Sequence, residues 1–282
     1  MKFKNSEADI FVPDGVSLEK ALERTTHLSV ATHQDDTEIF AYHGIAECFG
    51  RQDKWFTSVI VTNGAGSPRS GIYENFTDEE MREIRKMEQR KAAAVGEYSI
   101  QIQLSYPSSA VKNAPAKNVV DDIVAILKAA KPHTVYLHNP ADKHDTHVAV
   151  LLRSIEALRS IPADVLPEKV YGCEVWRDLD WVNDDEKVAL PVSEYKNLSA
   201  AVLGVFDSQI SGGKRYDLAA AGRRLANATF FASHATDTCD ALSYALDLMP
   251  LLKSRDLEVA EFISRKIDMF KKDAVAKIKK FS

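Results

Sequence analysis

The sequence predicts an α/β protein with a mostly parallel sheet, and two observations carry that prediction. Short apolar runs alternate with longer helical patterns over the first two-thirds of the chain, which is typical of strand–helix–strand units. The chain of 282 residues contains 45% hydrophobic and 27% charged residues. This composition is typical of a globular protein, and a chain of this length buries a sizeable core without disulfide bonds.

Four buried strands are predicted by short runs that are rich in apolar and β-branched residues. They cover residues 27–32, 56–62, 100–105 and 134–138. Helices are expected over residues 39–49, 78–95, 119–130 and 146–160. The second helix has the clearest limits, because Thr77 and Glu80 have the spacing of a capping box and Gly96 is suited to end it.

The alternation of strand and helix patterns is less regular after Pro167. We expect strands at residues 170–176 and 187–192, and helices near residues 194–205, 214–228 and 256–279. One domain over residues 1–282 is the simplest organisation, with a core at about 25–165 and a C-terminal extension at about 166–282. Because crossovers between parallel strands are right-handed, helices are expected on both faces of the sheet, as in a Rossmann-like three-layer sandwich.

Charge and cysteine content exclude several classes of function. The chain has 36 Lys and Arg against 41 Asp and Glu, and its net charge of −5 argues against nucleic-acid binding. Its three cysteines lie far apart, so neither a disulfide framework nor a thiolate zinc site is expected. Because no apolar run could span a membrane and no secretory signal is recognisable, we expect a cytoplasmic protein. The sequence leaves homo-oligomerisation open.

A first cluster of chemically active residues directly follows the first predicted strand. It contains His33, Asp35, Asp36 and Glu38. In open α/β sheets, ligands bind beyond the carboxyl ends of the strands, where this loop is expected to lie. The favourable interaction of acidic groups with a helix N-terminus explains Asp36 and Glu38, but it explains neither His33 nor the two adjacent aspartates.

A second cluster, Asp142, His144 and His147, follows the fourth predicted strand. His144 and His147 are three residues apart and face the same way on a first helical turn. The two clusters together predict a metal site, because a catalytic zinc ion requires three nitrogen or oxygen ligands and an open position for water. A carboxylate outside the ligand set can take a proton from that water, and a histidine can protonate the leaving group.

Both clusters resemble the motifs of the PIG-L/LmbE-like zinc-dependent N-deacetylases, which act on N-acetylglucosamine conjugates. The first family motif is His-Pro-Asp-Asp-x-Glu, and residues 33–38 read His-Gln-Asp-Asp-Thr-Glu, with Gln34 in place of proline. The later motif is Asp-x-His-Pro-Asp-His, and residues 142–147 read Asp-Lys-His-Asp-Thr-His, with Thr146 where the family has aspartate. With an Arg-x-x-Glu helix at residues 85–88, the resemblance covers about residues 27–160.

The resemblance implies a role for each matching residue. It implies that Zn²⁺, or another divalent ion, is bound by His33, Asp36 and His147. It implies that Asp35 is the general base and that His144 stabilises the oxyanion or protonates the leaving amine. Thr146 cannot supply the charge of the usual aspartate to His144, and Asp145 could replace that charge only if the loop turned it inward.

Three further residues are candidates for substrate binding: Arg85, Asn63 and Asp142. Asn63 follows the second predicted strand, where the family has Thr-Asp-Gly or a variant of it. Arg85 either binds a substrate oxygen or forms ordinary ion pairs with Glu88 and Glu80 along its helix.

The C-terminal third contributes weaker candidates. Trp176 lies near a predicted loop, where an aromatic side chain either stacks on a sugar face or packs against the protein. The glycine-broken stretch at residues 207–215 either lines the site or forms a turn before the next helix. The basic, amphipathic end at residues 269–282 is typical of a packed terminal helix, with a subunit or membrane contact as alternatives.

The function implied by the resemblance is metal-dependent removal of an N-acetyl group from an N-acetylglucosamine-type amino sugar conjugate. A different class of function is a metal- or sugar-binding protein without catalysis, which the replacements at Gln34 and Thr146 favour. A third possibility is a hydrolase that uses the same metal site on a different amide or ester.

Overall fold

A computed structural model describes all 282 residues and contains one mixed sheet of eight strands. The strands are β1 (Asp9–Phe11), β2 (His27–Ala31), β3 (Phe56–Thr62), β4 (Ile100–Tyr106), β5 (Thr134–His138), β6 (Lys169–Cys173), β7 (Val188–Pro191) and β8 (Leu242–Asp247). Their order across the sheet is β1-β4-β3-β2-β5-β6-β8-β7. The prediction of a mostly parallel α/β fold is confirmed for the five central strands, from β4 to β6. Antiparallel pairing of β1 with β4, and of β8 with β6 and β7, makes the sheet mixed.

Twelve helices accompany the sheet. They are α1 (Leu18–Glu23), α2 (Asp36–Phe40), α3 (Tyr42–Cys48), α4 (Asp78–Val95), α5 (Ser108–Lys112), α6 (Lys117–Ala130), α7 (Asp145–Ser160), α8 (Lys196–Gly204), α9 (Asp207–Ile210), α10 (Tyr216–Phe230), α11 (Met249–Lys253) and α12 (Val259–Phe281). Apolar residues of α6 and α7 belong to one buried core, whereas those of α3 and α8 belong to a second core. Successive residues along the central strands belong alternately to the first and to the second core. The sheet therefore lies between two layers of helices, and the molecule has three layers. None of these helices combines the length and the apolar character needed to cross a membrane.

The limits of α4 illustrate how local sequence forms this structure. The Thr77 hydroxyl accepts a hydrogen bond from the backbone N–H of Glu80 at 3.2 Å. The Glu80 carboxylate in turn accepts one from the backbone N–H of Thr77 at 2.8 Å. Each bond satisfies a donor that would otherwise lack a partner at the helix start, so the predicted capping box is confirmed, as is Gly96 at the helix end.

One predicted helix differs from the structure, and strands β1 and β8 were not predicted. The helix expected over residues 39–49 is wrong as one element, because it is divided into α2 and α3 at Ala41. Its start also lies earlier, so Asp36 begins α2. The segment of β8, Leu-Ser-Tyr-Ala-Leu-Asp, contains no β-branched residue and so did not predict a strand. Pairing with β6 and β7 rather than local propensity therefore determines this strand.

The sheet order positions the candidate site. Strands β2 and β5 are neighbours, although β3 and β4 lie between them in the chain. The direction in which the chain adds strands therefore reverses at this pair, and a crevice forms beyond the carboxyl ends of the two strands. The loops that contain the two predicted clusters begin at this position.

Candidate metal centre and active site

Three predicted ligands converge at the crevice between β2 and β5. Oδ2 of Asp36 lies 3.3 Å from Nδ1 of His33 and 3.3 Å from Nε2 of His147. The two nitrogen atoms are 3.2 Å apart. Zinc–ligand bonds of about 2.0–2.1 Å place the ligands of a tetrahedral site about 3.3–3.4 Å from one another. The three donor atoms therefore fit one face of a tetrahedral zinc site.

One hydrogen bond joins two of the ligands, and a carboxylate lies behind the third. The backbone N–H of His33 donates to Oδ2 of Asp36 at 2.7 Å. Behind His147, Oδ2 of Asp142 lies 3.7 Å from the Nδ1 atom. The Asp142 carboxylate accepts bonds from the backbone N–H groups of His144 and Trp176, at 2.9 and 3.1 Å. A carboxylate behind a histidine ligand is a common arrangement in metal sites, because it orients the ring and raises its basicity. Asp142 therefore lies behind His147 and does not line the substrate cavity.

His138 is a buried member of the site that the predicted site residues did not include. It ends β5, and its Nε2 accepts hydrogen bonds from the backbone N–H and the hydroxyl of Thr32, at 3.0 and 2.9 Å. Its ring stacks on His147 with centroids 4.0 Å apart. Complete burial lowers the pKa of His138 well below its usual value. A neutral, immobile ring thus supports the His147 ligand, and the position of His138 at the end of a predicted strand was the available signal.

Asp35 lies beside the ligands in an unusual backbone conformation. Its φ of 104° lies in a region that residues other than glycine rarely adopt, so surrounding contacts must hold it there. Its backbone N–H donates to Oε1 of Gln89 at 3.3 Å. Burial raises the pKa of Asp35, and the Arg85 guanidinium, 3.8 Å from its carboxylate, opposes that rise. The arrangement places a carboxylate at the cavity floor that is separate from the three donor atoms.

Arg85 is buried and connects the two loops that precede α2 and α4. Its guanidinium donates to the carbonyl oxygens of Gln34 and Gly64, at 2.6 and 3.3 Å, and to the Ser67 hydroxyl. It forms no ion pair with Glu88, whose carboxylate accepts instead from the backbone and hydroxyl of Ser208. Nor does it pair with Glu80, which caps α4. Of the two alternatives for Arg85, the ordinary ion pairs with Glu88 and Glu80 are therefore absent, and the side chain lines the cavity.

Gln34, which stands where the family has proline, points away from the donor atoms. Its side-chain amide donates to Oε1 of Gln103 at 3.1 Å. A Cβ atom at Gly64 would lie only 2.4 Å from Oε1 of Gln34, and Gly64 has a φ of +72°. The side chain of Gln34, which is larger than proline, therefore has space because residue 64 in the next loop is glycine.

His144 precedes α7 and has no carboxylate partner. Its ring stacks on His147 and Trp176, with centroid distances of 4.5 and 6.3 Å. Its Nδ1 atom is buried without a hydrogen-bond partner. Asp145 is exposed rather than turned inward, and Thr146 is buried without bonding the imidazole. Burial and the neighbouring His147 lower the pKa of His144.

A cavity of about 610 Å³ opens above these groups. Its lining residues from the first two-thirds of the chain include His33, Asp35, Asp36, Gly64, Ser67, Arg85, Lys112, His144 and Thr146. Those from the C-terminal extension, residues 166–282, include Val175, Trp176, Gln209, Lys214, Arg215, Tyr216, Ala219, Ala220 and Arg223. The stretch at residues 207–215 therefore forms part of the wall. Asn63 lies outside the lining, and its side chain accepts a bond from the backbone N–H of Ala65 at 3.2 Å.

This arrangement supports hydrolytic chemistry. A three-atom donor face lies at the floor, with the Asp35 carboxylate and the His144 imidazole beside it. The cavity volume is in the range that small-molecule ligands occupy. Trp176 and Tyr216 add an aromatic wall, with ring centroids 6.0 Å apart.

Part of the sequence matches a known family profile, and the fold matches several solved structures. The profile of the PIG-L family, described as GlcNAc-PI de-N-acetylase, matches residues 28–158. The N,N'-diacetylchitobiose deacetylase of Pyrococcus horikoshii superposes with a TM-score of 0.62 and 16% identity, covering 82% of this chain and 86% of that chain. A zinc-inhibited form of a teicoplanin deacetylase superposes with a TM-score of 0.55 and 13% identity, covering 79% and 97%.

A third similar structure is a hydratase. The 4-carboxy-2-hydroxymuconate hydratase of Pseudomonas putida superposes with a TM-score of 0.59 and 16% identity, covering 79% of this chain and 95% of that chain. No curated protein matches the sequence. At these identities the structural likenesses establish a shared fold, and function has to be argued from the site.

Proposed function

We propose that this chain, whose residues 28–158 belong to the PIG-L family, hydrolyses the N-acetyl group of an N-acetylglucosamine-type amino sugar conjugate. The observation that carries the proposal is the donor face of His33, Asp36 and His147, with mutual distances of 3.2–3.3 Å. It lies at the floor of a cavity large enough for a small ligand, and the Asp35 and His144 side chains flank it.

The donor set is suited to Zn²⁺ or a similar divalent ion, because two imidazole nitrogens and one carboxylate oxygen leave a fourth position open. When bound, such an ion supplies Lewis acidity: it lowers the pKa of water and polarises a carbonyl group. Further support comes from Asp142, which lies behind His147 as expected of a residue that orients a ligand.

The chain's own residues account for the proton transfers. Asp35 accepts a proton from the attacking water at its carboxylate, which the backbone of the β2–α2 loop and the nearby Arg85 guanidinium hold in place. His144 stabilises the developing oxyanion or delivers a proton to the departing nitrogen. The C–N bond breaks, a C–O bond forms, and the products are acetate and a free amino sugar.

The substrate class is proposed from the family and from the cavity. The family profile is described as a GlcNAc-PI de-N-acetylase, and two of the similar structures are deacetylases of diacetylchitobiose and of teicoplanin. In the cavity, Trp176 and Tyr216 offer flat apolar surfaces on which a sugar ring stacks favourably.

The test is acetate release by the zinc-loaded protein from a panel of N-acetylglucosamine glycosides. We expect turnover, and we expect Asp35→Asn to reduce kcat at least about 100-fold, because it removes the proton acceptor. Asparagine retains the shape of the side chain and tolerates a positive φ, so the fold and the bound metal are expected to persist. The matched control is Asp145→Asn, which removes an exposed carboxylate of the other loop and is expected to leave kcat near that of the unmodified protein.

Three outcomes would contradict different parts of the proposal. Full activity of Asp35→Asn would exclude Asp35 as the base. Hydrolysis of longer N-acyl groups or of esters, with no acetate released from the N-acetyl substrates, would favour the hydrolase of a different amide or ester. Sugar binding to the metal-loaded protein with no product from any substrate would favour a binding protein, for which the missing carboxylate at Thr146 provides a reason.

A further inference from the structure

The peptide unit that joins Gln34 to Asp35 determines where the Asp35 carboxylate lies. The φ of 104° at Asp35 is outside the region that residues other than glycine normally adopt. Because peptide units are planar, the φ angle of a residue depends on the orientation of the peptide unit that precedes it. Contacts to the unit between Gln34 and Asp35 must therefore maintain this conformation and the direction of the carboxylate.

Two side chains of α4 bind the opposite ends of this peptide unit. The Arg85 guanidinium donates to the carbonyl oxygen of Gln34 at 2.6 Å. Oε1 of Gln89 accepts from the backbone N–H of Asp35 at 3.3 Å. Arg85 and Gln89 are four residues apart, so they lie on the same face of α4. The C=O and N–H groups of a trans peptide point in opposite directions, so the two bonds together fix the rotation of the peptide plane.

Neighbouring side chains orient the amide of Gln89. Its Nε2 donates to Oε1 of Glu38 at 2.9 Å and to Oε1 of Gln101 at 3.0 Å. Both hydrogens of the amide nitrogen are thereby used, and the amide oxygen is directed to the N–H of Asp35. The Tyr98 hydroxyl also donates to Oε1 of Glu38, at 2.8 Å. Gln89, Glu38, Gln101 and Tyr98 are fully buried, so water does not compete for these bonds and the network keeps one arrangement.

We propose that Gln89 is a positioning residue for the reaction: together with Arg85 it holds the peptide unit before Asp35 and thereby directs the Asp35 carboxylate to the attacking water. This inference rests on the proposed N-deacetylase function, in which Asp35 accepts the proton. Gln89 does not line the cavity, so it acts through Asp35 and not through the substrate. A general base works only within hydrogen-bond reach of the proton that it removes, so loss of Gln89 should lower kcat and leave substrate binding unchanged.

The experiment measures zinc content, kcat and KM for acetate release by the Gln89→Met variant. Methionine occupies a similar volume but is only a weak hydrogen-bond acceptor. We expect kcat to fall about tenfold, because small displacements of a catalytic group are costly, while KM and zinc content stay unchanged. In an Asp35→Asn background the same substitution is expected to lower kcat no further, because the group that Gln89 positions is absent. A purely structural role would lower kcat by the same factor in both backgrounds.

Gln103→Met is the matched control. Gln103 is also buried, on β4, but its amide bonds the Gln34 side chain and the carbonyl oxygen of Lys86, not the peptide unit before Asp35. We expect this variant to lower the free energy of unfolding and to keep the kcat of the unmodified protein. Equal losses of kcat in the Gln89 and Gln103 variants, or independent losses in the double variant with Asp35→Asn, would overturn the inference.

If Gln89→Met does not fold, Gln89→Asn takes its place. Asparagine keeps the amide but is shorter by one methylene group, so it cannot bond Gln101 and the N–H of Asp35 at the same time. We expect a several-fold loss of kcat without a change in zinc content. An unchanged kcat in this variant would overturn the inference.

Failure of the proposed function has a different signature, because the unmodified protein would then release no acetate. Hydrogen exchange of the Asp35 amide, followed by NMR on the zinc-loaded protein, tests the contact itself in that case. We expect slow exchange in the unmodified protein and in Gln103→Met, and exchange at least about tenfold faster in Gln89→Met, which lacks the acceptor. Equal exchange rates in all three proteins would show that another group holds the peptide unit, and the inference would be wrong.

Discussion

The first 165 residues and the C-terminal third build different parts of the same cavity. The first region supplies the donor face, Asp35 and His144, on two loops at neighbouring parallel strands. The second supplies Trp176 and the cationic side chains of Lys214, Arg215 and Arg223, on loops and on α10. The comparison indicates that reaction chemistry and substrate selection are separated along the chain, so substitutions in the two regions should affect different measurements.

The largest expected effect is in the first region, at His147. His147→Ala removes one of three donor atoms, and we expect bound zinc to fall from about one equivalent to near zero, with kcat reduced at least about 1000-fold. Elemental analysis and acetate release measure both quantities. Trp176→Ala is the counterpart in the second region, and it is expected to raise KM about tenfold while the zinc content stays unchanged. Zinc retained by His147→Ala would show that the donor face does not bind the ion.

Two glycines, one in each region, allow the same comparison for the free energy of unfolding. Gly64→Ala in the first region creates a contact of 2.4 Å with Gln34 at a positive φ. We expect it to lower the free energy of unfolding by about 2–3 kcal/mol. Gly222→Ala in α10 meets no atom within 4 Å and is expected to raise that free energy by about 0.5–1 kcal/mol. Urea unfolding measures both, and equal effects would contradict the packing argument.

The first region also contains a buried histidine outside the site. This histidine makes the free energy of unfolding of the protein depend on pH. Burial lowers the pKa of His27 from 6.5 to about 4. Below pH 6.5 the unfolded chain therefore binds a proton at His27 that the folded chain does not bind. The free energy of unfolding falls as the pH decreases toward 4. The shift corresponds to about 3 kcal/mol.

The His27→Asn variant isolates this contribution. We expect the difference in unfolding free energy between the original protein and the variant to decrease by about 2–3 kcal/mol from pH 7 to pH 4. Urea unfolding after chelation of metal ions separates this effect from loss of zinc at acid pH. A difference that is constant over this range would show that His27 titrates normally.

The smallest effect is expected where the chain departs from the motif of the family that it resembles. Thr146→Asp restores a carboxylate beside His144, which the structure leaves without a charged partner. A nearby carboxylate stabilises the protonated imidazole, so we expect kcat to rise a few-fold, about 1 kcal/mol in activation free energy. Thr146→Asn, which has the same shape without the charge, is the control. A decrease in kcat for Thr146→Asp alone would indicate that His144 acts as a neutral hydrogen-bond donor.

Much of the first region was predictable from local pattern. The strand at residues 56–62 has the predicted limits, and the capping box at Thr77 and Glu80 forms as expected. These elements depend on β-branched runs and caps, which act over a few residues. The spacing of the histidines and aspartates was equally visible, because each cluster directly follows a strand.

Other features required the folded chain. The pairing of β8, the insertion of Arg85 between two loops and the outward position of Asp145 all depend on residues far apart in sequence. The same holds for Lys112, Lys214 and Arg223, which look like ordinary surface charges in the sequence and line one cavity only after folding.

The sequence by itself therefore determined the α/β class, the central parallel strands and the identity of the candidate ligands. These follow from hydrophobic periodicity and from residue types that occur at strand ends. The tertiary structure decided which donor atoms come within 3.3 Å of one another, which carboxylate lies beside them, and which charges face the cavity. Those properties arise from long-range strand order and loop packing, which no local window of sequence contains.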